Sequence, residues 1–201
     1  MHHNLLPGRC RNQCHGSHGV HGSIVWILAL AMLMEVTMAQ KPTATATMRV
    51  VKQSDLEIIL TKTISAPRDR VFRALTEPAA VMQWMKVGHL QLVDCEIEPR
   101  VGGSLRYQYQ RPSGKQIEVR GVFEKVDAPR ELRYLESYDF SPLTIVVTTT
   151  LEDAGRSTEL KQTLRYRTKD ERDADFPNIE SSSPTAYANL DRYLALGAST
   201  E

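Results

Sequence analysis

Residues 96–110 read EIEPRVGGSLRYQYQ: an acidic extended stretch, the pair Gly102-Gly103, then a segment in which Leu105, Tyr107 and Tyr109 alternate with Arg106, Gln108 and Gln110. The glycine pair has three readings: a phosphate cradle, an anion-binding nest or a turn. A phosphate cradle would need G-x-G-x-x-G spacing with a helix behind it, or a P-loop lysine, and would imply a nucleotide-binding parallel sheet. None of these is present. The residues after the glycines have period two, the mark of a strand with one buried face. The pair therefore reads as the turn between two antiparallel strands, where glycine permits positive φ and a sharp bend.

The same period runs over most of residues 90–167. Ile117, Val119, Gly121 and Phe123 alternate with charged residues, Leu132, Tyr134, Glu136 and Tyr138 share one face, and residues 145–151 and 158–166 complete the set. Turn residues fall at Pro112-Ser113-Gly114, Asp127-Ala128-Pro129 and Asp153-Ala154-Gly155. Such short connections make consecutive strands antiparallel neighbours. Upstream, LEIILTKTI (56–64) forms a first strand, and APRDRVFRALTEPAAVMQWM (66–85) then shifts to helical spacing through Val71, Phe72, Leu75, Val81, Met82 and Met85. Pro67 and Pro78 open two short helices joined at Thr76-Glu77. Downstream, residues 169–175 suggest a turn or two before Phe176-Pro177. SSSPTAYANLDRYLALG (181–197) suggests a separate helix with Ser183 as N-cap, Pro184 at its first position and Gly197 as its stop. Its apolar stripe is Tyr187, Leu190, Tyr193 and Leu194. The predicted fold class is α+β: a curved antiparallel sheet of about six to seven strands around a C-terminal helix, with two short helices after the first strand.

The chain has 201 residues, 41% hydrophobic and 24% charged, enough for one domain preceded by a leader. The expected division is a leader over 1–39, a disordered lead-in over 40–54 that includes the Thr/Ala/Pro stretch KPTATAT, and the folded domain over 55–197. The leader contains an 11-residue apolar run, IVWILALAMLM (24–34), after Arg9 and Arg11, with Thr37-Met38-Ala39 as small residues before Gln40. Such a run is too short to span a bilayer and fits the centre of a secretory signal, so no stable membrane span is expected. Met38 equally reads as an ordinary start. The first reading implies secretion or the periplasm and the second implies the cytoplasm. Setting aside Arg9, Arg11 and Glu35, the rest of the chain carries equal numbers of basic and acidic residues. Neutrality without a clustered basic stripe argues against nucleic acid as a partner.

Most chemistry motifs fall with the leader. Cys10, Cys14, His15, His18 and His21 match no zinc spacing, and outside the leader only Cys95 and His89 remain of their kinds. No internal disulfide, His-based metal site or nucleophile triad follows, and neither a cofactor nor a catalytic residue is assigned. Two features stay open. Glu136 shares its strand face with Leu132, Tyr134 and Tyr138, so it is either a carboxyl in apolar surroundings with a raised pKa or an edge residue meeting water or an arginine. All seven tyrosines lie at 107, 109, 134, 138, 166, 187 and 193, mostly on inward faces. They make either an ordinary core or a moderately polar pocket, with Trp84 and Met85 at its entrance. Gln162 faces inward, to orient a ligand or to bond Tyr187 or Tyr193. The candidate cavity residues are Trp84, Tyr107, Tyr109, Phe123, Tyr134, Glu136, Gln162, Tyr166 and Tyr187.

ISAPRDRVFRALTEP (64–78), CEIEPRVGGSLRY (95–107) and GVFEKVDAPRELRY (121–134), in this order and spacing, resemble the activator of heat-shock protein 90 ATPase homologue family, within the SRPBCC, or START and birch-pollen-allergen, superfamily. The resemblance spans about residues 55–196 and implies a helix-grip fold, a bent sheet holding a long C-terminal helix over a cavity. It implies non-covalent binding of a small hydrophobic or amphipathic molecule. A cochaperone-like module stimulating a chaperone ATPase is the alternative, and a cyclase or aromatase using Glu136 and tyrosines is the third reading. The sequence departs from the family in two places. Gln83-Trp84-Met85-Lys86 stands where members often carry a Trp-Trp pair and a Gly-Pro loop, and Pro177 and Pro184 are expected to divide the C-terminal helix.

Overall fold

Each segment with two-residue alternation is a strand in the computed structural model, which describes residues 47–197; the leader, with its apolar run and its cysteines and histidines, lies outside the described residues. Strands β1 (Arg49–Ser54), β2 (Glu57–Ile64), β3 (Gln91–Ile97), β4 (Ser104–Gln110), β5 (Gln116–Asp127), β6 (Glu131–Tyr138), β7 (Ser141–Ala154) and β8 (Ser157–Arg165) form one antiparallel sheet in the order β1-β2-β8-β7-β6-β5-β4-β3. Helices α1 (Arg68–Thr76) and α2 (Pro78–Trp84) lie between β2 and β3, and α3 (Lys169–Gly197) follows β8. This is the helix-grip architecture. Register shifts in the β1-β2, β3-β4, β5-β6 and β6-β7 pairs mark bulges, which bend strands and help an open sheet to curl. Among the described residues no helix is long and apolar enough to cross a membrane.

The turn at Gly102-Gly103 shows why the pair is glycine. Gly102 has φ +76, which L side chains rarely adopt, while a Cβ on Gly103 would lie 2.2 Å from the Glu98 carbonyl oxygen. The freed space lets the Gly102 N–H donate to the Phe123 carbonyl at 2.8 Å, and the Phe123 N–H donate back to Gly103 at 3.0 Å. The turn is thereby tied to β5, and its role is architectural.

Two expectations are corrected. The lead-in over 40–54 contributes an eighth strand, β1, which pairs with β2 as a mostly exposed edge. Its sequence RVVKQS carries no alternation because neither face is fully covered. The C-terminal helix is continuous: α3 runs for 29 residues with Pro177 and Pro184 inside it. Each proline forfeits a backbone hydrogen bond, at a cost of about 3 kcal/mol in a helix interior. The carbonyls thus released, on Asp173 and Glu180, belong to a half-buried and an exposed residue, within reach of water.

Tertiary anchors hold the helix through this defect. Near its start Arg172 donates to the Ser54 carbonyl at 2.9 Å, and Lys52 pairs with Asp173 at 2.6 Å while lying over the Phe176 ring. Near its end Arg70 donates to the Leu194 carbonyl at 2.9 Å. Leu190 has no exposed surface and joins Ile58, Leu60, Val71 and Val81 in one continuous core. Complete burial of one such side chain contributes about 2 kcal/mol.

The strongest electrostatic anchor is Lys62 of β2, only 5% exposed, whose ammonium lies 2.8 Å from the Asp191 carboxylate of α3. Burial pushes the Asp191 carboxyl up and Lys62 draws it back down. Removing one partner of such a pair leaves an uncompensated buried charge. Lys62→Met is expected to lower stability at neutral pH by about 3 kcal/mol, and Lys62→Met with Asp191→Leu to recover most of it, as apolar replacements of buried pairs do; urea denaturation of the two variants checks both.

Candidate functional site

Where α3 passes in front of the middle of the sheet, the two do not close together. The space between them is a cavity of about 710 Å³. Its floor is the inward face of the sheet: Tyr107 and Tyr109 from β4, Ile117 and Val119 from β5, Tyr134, Glu136 and Tyr138 from β6, Ile145 and Val147 from β7, and Gln162 and Leu164 from β8. Its roof is α3, with Asp175, Ile179, Ser182, Ala186 and Tyr187 turned toward it. One side is closed by Trp84 and Met85 at the end of α2, followed by Val87 and Leu90. Exposed Gly88, Phe140, Asn178 and Ser181 form the rim.

The walls are apolar and aromatic with a few polar groups. The Trp84 indole N–H donates to the Ala74 carbonyl at 2.8 Å, which fixes the ring 6.2 Å from that of Tyr187. The Tyr109 hydroxyl donates to Met85 Sδ at 3.1 Å. The hydroxyls of Tyr107 and Tyr187, each 7% exposed, have no hydrogen-bond partner among the described residues. Burial raises the pKa of both phenols, so they are neutral hydroxyls able to donate into the cavity.

Glu136 is the group whose chemistry is most altered. It sits mid-strand on β6, opposite Gly121 of β5 and Ile145 of β7, and accepts a hydrogen bond from the Tyr138 hydroxyl. Desolvation pushes its carboxyl from the usual 4.5 up to about 7, opposed by the Tyr138 and Tyr134 hydrogen bonds and reinforced by the negative charge of Asp175. Tyr107 and Tyr109 of β4 and Tyr166 at the end of β8 also feel its charge. Gly121 gives this wall its shape. A Cβ there would lie 3.2 Å from the Tyr134 ring, so the missing side chain lets that ring lie close against β5.

Seven of the nine residues singled out in the sequence line this cavity: Trp84, Tyr107, Tyr109, Tyr134, Glu136, Gln162 and Tyr187. Two do not. Phe123, 2% exposed, packs edge-on against Tyr134 with ring centroids 5.5 Å apart, and Tyr166, 2% exposed, lies behind the lining and donates its hydroxyl to Asp175 at 2.8 Å. The edge reading of Glu136 is set aside, since β6 is an inner strand and no arginine meets the carboxylate among the described residues. Gln162 bonds Thr149 at 3.1 Å and not Tyr187 or Tyr193. Sequence reasoning missed Asp175, whose only signal would have been an acid two residues before a proline in a helix not known to be continuous. His89 is exposed in the turn after α2, and burial, then the nearby Asp94 charge, push the Cys95 thiol up to about 11, which leaves it protonated and unreactive. Among the described residues no group of three His, Cys, Asp or Glu is placed to hold a metal.

The Glu136 shift has a signed consequence for stability. Between about pH 4.5 and 7 the unfolded chain has released the proton that the folded protein retains, so stability falls as pH rises through that window. The fall is at most about 3 kcal/mol from this group. Glu136→Gln is expected to flatten the decline in melting temperature between pH 4.5 and 7.5 and to melt above the parent protein at pH 8; differential scanning calorimetry across that range checks it.

Residues 65–195 match the model of the family described as Activator of Hsp90 ATPase homolog 1-like protein. No curated protein matches the chain. Among solved structures, a protein from Rhodobacter sphaeroides is 26% identical, with a TM-score of 0.72 over 75% of this chain and 99% of its own. A Nitrosomonas europaea protein is 19% identical, with a TM-score of 0.66 over 73% of this chain and 99% of its own, and a Staphylococcus epidermidis protein is 23% identical, with a TM-score of 0.65 over 75% and 95%. The last two likenesses bear on the fold alone. The matched segment takes in the Gly102-Gly103 turn, the cavity floor and nearly all of α3, and the chain belongs to the activator of Hsp90 ATPase homolog 1-like family, with its SRPBCC helix-grip fold.

Proposed function

We propose that this protein binds a small amphipathic molecule non-covalently between the sheet and α3. The observation that carries the reading is the cavity itself, about 710 Å³ at the centre of a fold whose members commonly bind hydrophobic ligands. A close-packed core leaves few voids larger than a water molecule, whereas drug-sized ligands occupy about 300–1,000 Å³. Apolar walls supply affinity, and Glu136, Tyr107 and Tyr187 supply polar points that orient a ligand. The neutral probe N-phenyl-1-naphthylamine is expected to bind one per chain with enhanced fluorescence. Ala186→Phe, which fills the cavity from α3, is expected to weaken binding at least about tenfold without loss of the folded far-UV spectrum. A probe that gains no fluorescence, or binds the variant equally well, would remove this reading.

A protein-interaction module is the second reading, and a different surface favours it. On the outer face Val122 of β5 is 52% exposed, directly opposite Leu135 of β6, which is 41% exposed, and Leu135 in turn faces Val146 of β7. An exposed apolar row of this kind suits contact with a partner protein. It predicts that the purified protein raises the ATPase turnover of a heat-shock protein 90 chaperone and that Val122→Lys with Leu135→Glu abolishes the effect; unchanged turnover on adding the parent protein eliminates this reading.

A further inference from the structure

The charges around the cavity all have one sign. Three carboxylates line it, Glu136, Glu171 and Asp175, and no lysine, arginine or histidine among the described residues does. Glu171 is neutralised from outside by Arg167, 2.9 Å away at the rim. Among the described residues Glu136 and Asp175 have no cationic partner. Their contacts are tyrosine hydroxyls, from Tyr138 and Tyr134 to Glu136 and from Tyr166 to Asp175. Both acids are partly buried, and a carboxylate with reduced access to water and no cation beside it is costly; elsewhere on the same helix that cost is met by Lys62 beside Asp191. The rings of Trp84, Tyr107, Tyr109, Tyr134 and Tyr187 line the same cavity, and two of these phenols are nine-tenths buried with hydroxyls that no group among the described residues engages.

Resting on the binding reading above, we infer that the ligand is an apolar organic cation, a hydrophobic amine or quaternary ammonium whose charge lies between Glu136 and Asp175 within the aromatic walls. A cation there answers the two carboxylates at once and gains cation–π attraction that strengthens as the site is desolvated. An anionic amphiphile such as a fatty acid meets the opposite field and no compensating base. The apolar body occupies the remaining volume over Ile117, Val119, Ile145 and Val147.

Three probes with one apolar body separate charge from burial: 4-phenylbutyltrimethylammonium, 4-phenylbutanol and 4-phenylbutyrate, titrated calorimetrically at pH 8, where Glu136 is ionised. The expected order is cation, alcohol, carboxylate, with the cation at least about tenfold tighter than the alcohol. Glu136→Gln is expected to bring the cation-to-alcohol ratio close to one, and Asp175→Asn, on a separate element, to lower it independently should the first variant fold poorly. Equal binding of cation and alcohol, or tighter binding of the carboxylate, overturns the inference while leaving the binding reading in place. If none of the three binds and N-phenyl-1-naphthylamine does not bind either, both are overturned.

Discussion

Eight antiparallel strands present one broad apolar face, and a single long helix has to cover it. A helix is about 10 Å across, the width of two strands at about 4.8 Å spacing. The helical cover is therefore narrower than what it covers, and the rest of the architecture answers that shortfall. α3 packs closely on β1 and β2, while α1 contacts β7 and β8, and α2 contacts β3. The centre of the sheet, from β4 to β7, faces α3 across open space. The cavity is thus a geometric remainder of the fold, placed where helical cover runs out.

The two regimes along α3 show what this does to electrostatics. At Asp191 the helix is pressed against the sheet, and the carboxylate meets Lys62 at 2.8 Å. Some four turns earlier, at Asp175, it borders the cavity and its hydrogen-bond partner among the described residues is the Tyr166 hydroxyl. A buried acid in a dry contact without a cation would weigh heavily against the fold. An acid beside a cavity is tolerated because the space next to it can hold something that solvates it. The raised pKa of Glu136 expresses the same compromise, a group that costs little as a neutral acid and becomes demanding when ionised.

Much of this was legible in the sequence, for a local reason. Strand alternation records which face is buried, so the inward set Leu105, Tyr107, Tyr109, Ile117 and Val119 could be read without knowing what covered it. Alternation gives the face of a residue but not its position across the sheet, and for that reason Phe123 and Tyr166 were assigned to the pocket along with residues that do line it. Edge strand β1 was invisible because an exposed edge imposes no pattern on its sequence. The continuity of α3 was misread because Pro177 and Pro184 are strong local stop signals, whereas the contacts that override them come from residues more than a hundred positions away, including Ser54, Lys52 and Lys62. Asp175 escaped notice with it, since its place over the cavity exists only if the helix does not break.

Half of the polar residues on the cavity floor come from a single strand. Tyr134, Glu136 and Tyr138 are alternate residues of β6, and Arg133, Leu135 and Ser137 occupy the places between them. Since side chains change sides at every residue, sliding β6 by one position would exchange the two sets. Arg133 would then turn toward the cavity and Glu136 away from it, and the negative field that Glu136 adds to that of Asp175 would be lost without any change in composition. A one-residue insertion or deletion in the β5-β6 turn is therefore a route by which a gene could weaken the charge preference of this site while keeping the fold. The bulges on both sides of β6, between Phe123 and Lys125 and between Ser137 and Tyr138, lie where such slippage would have to be absorbed.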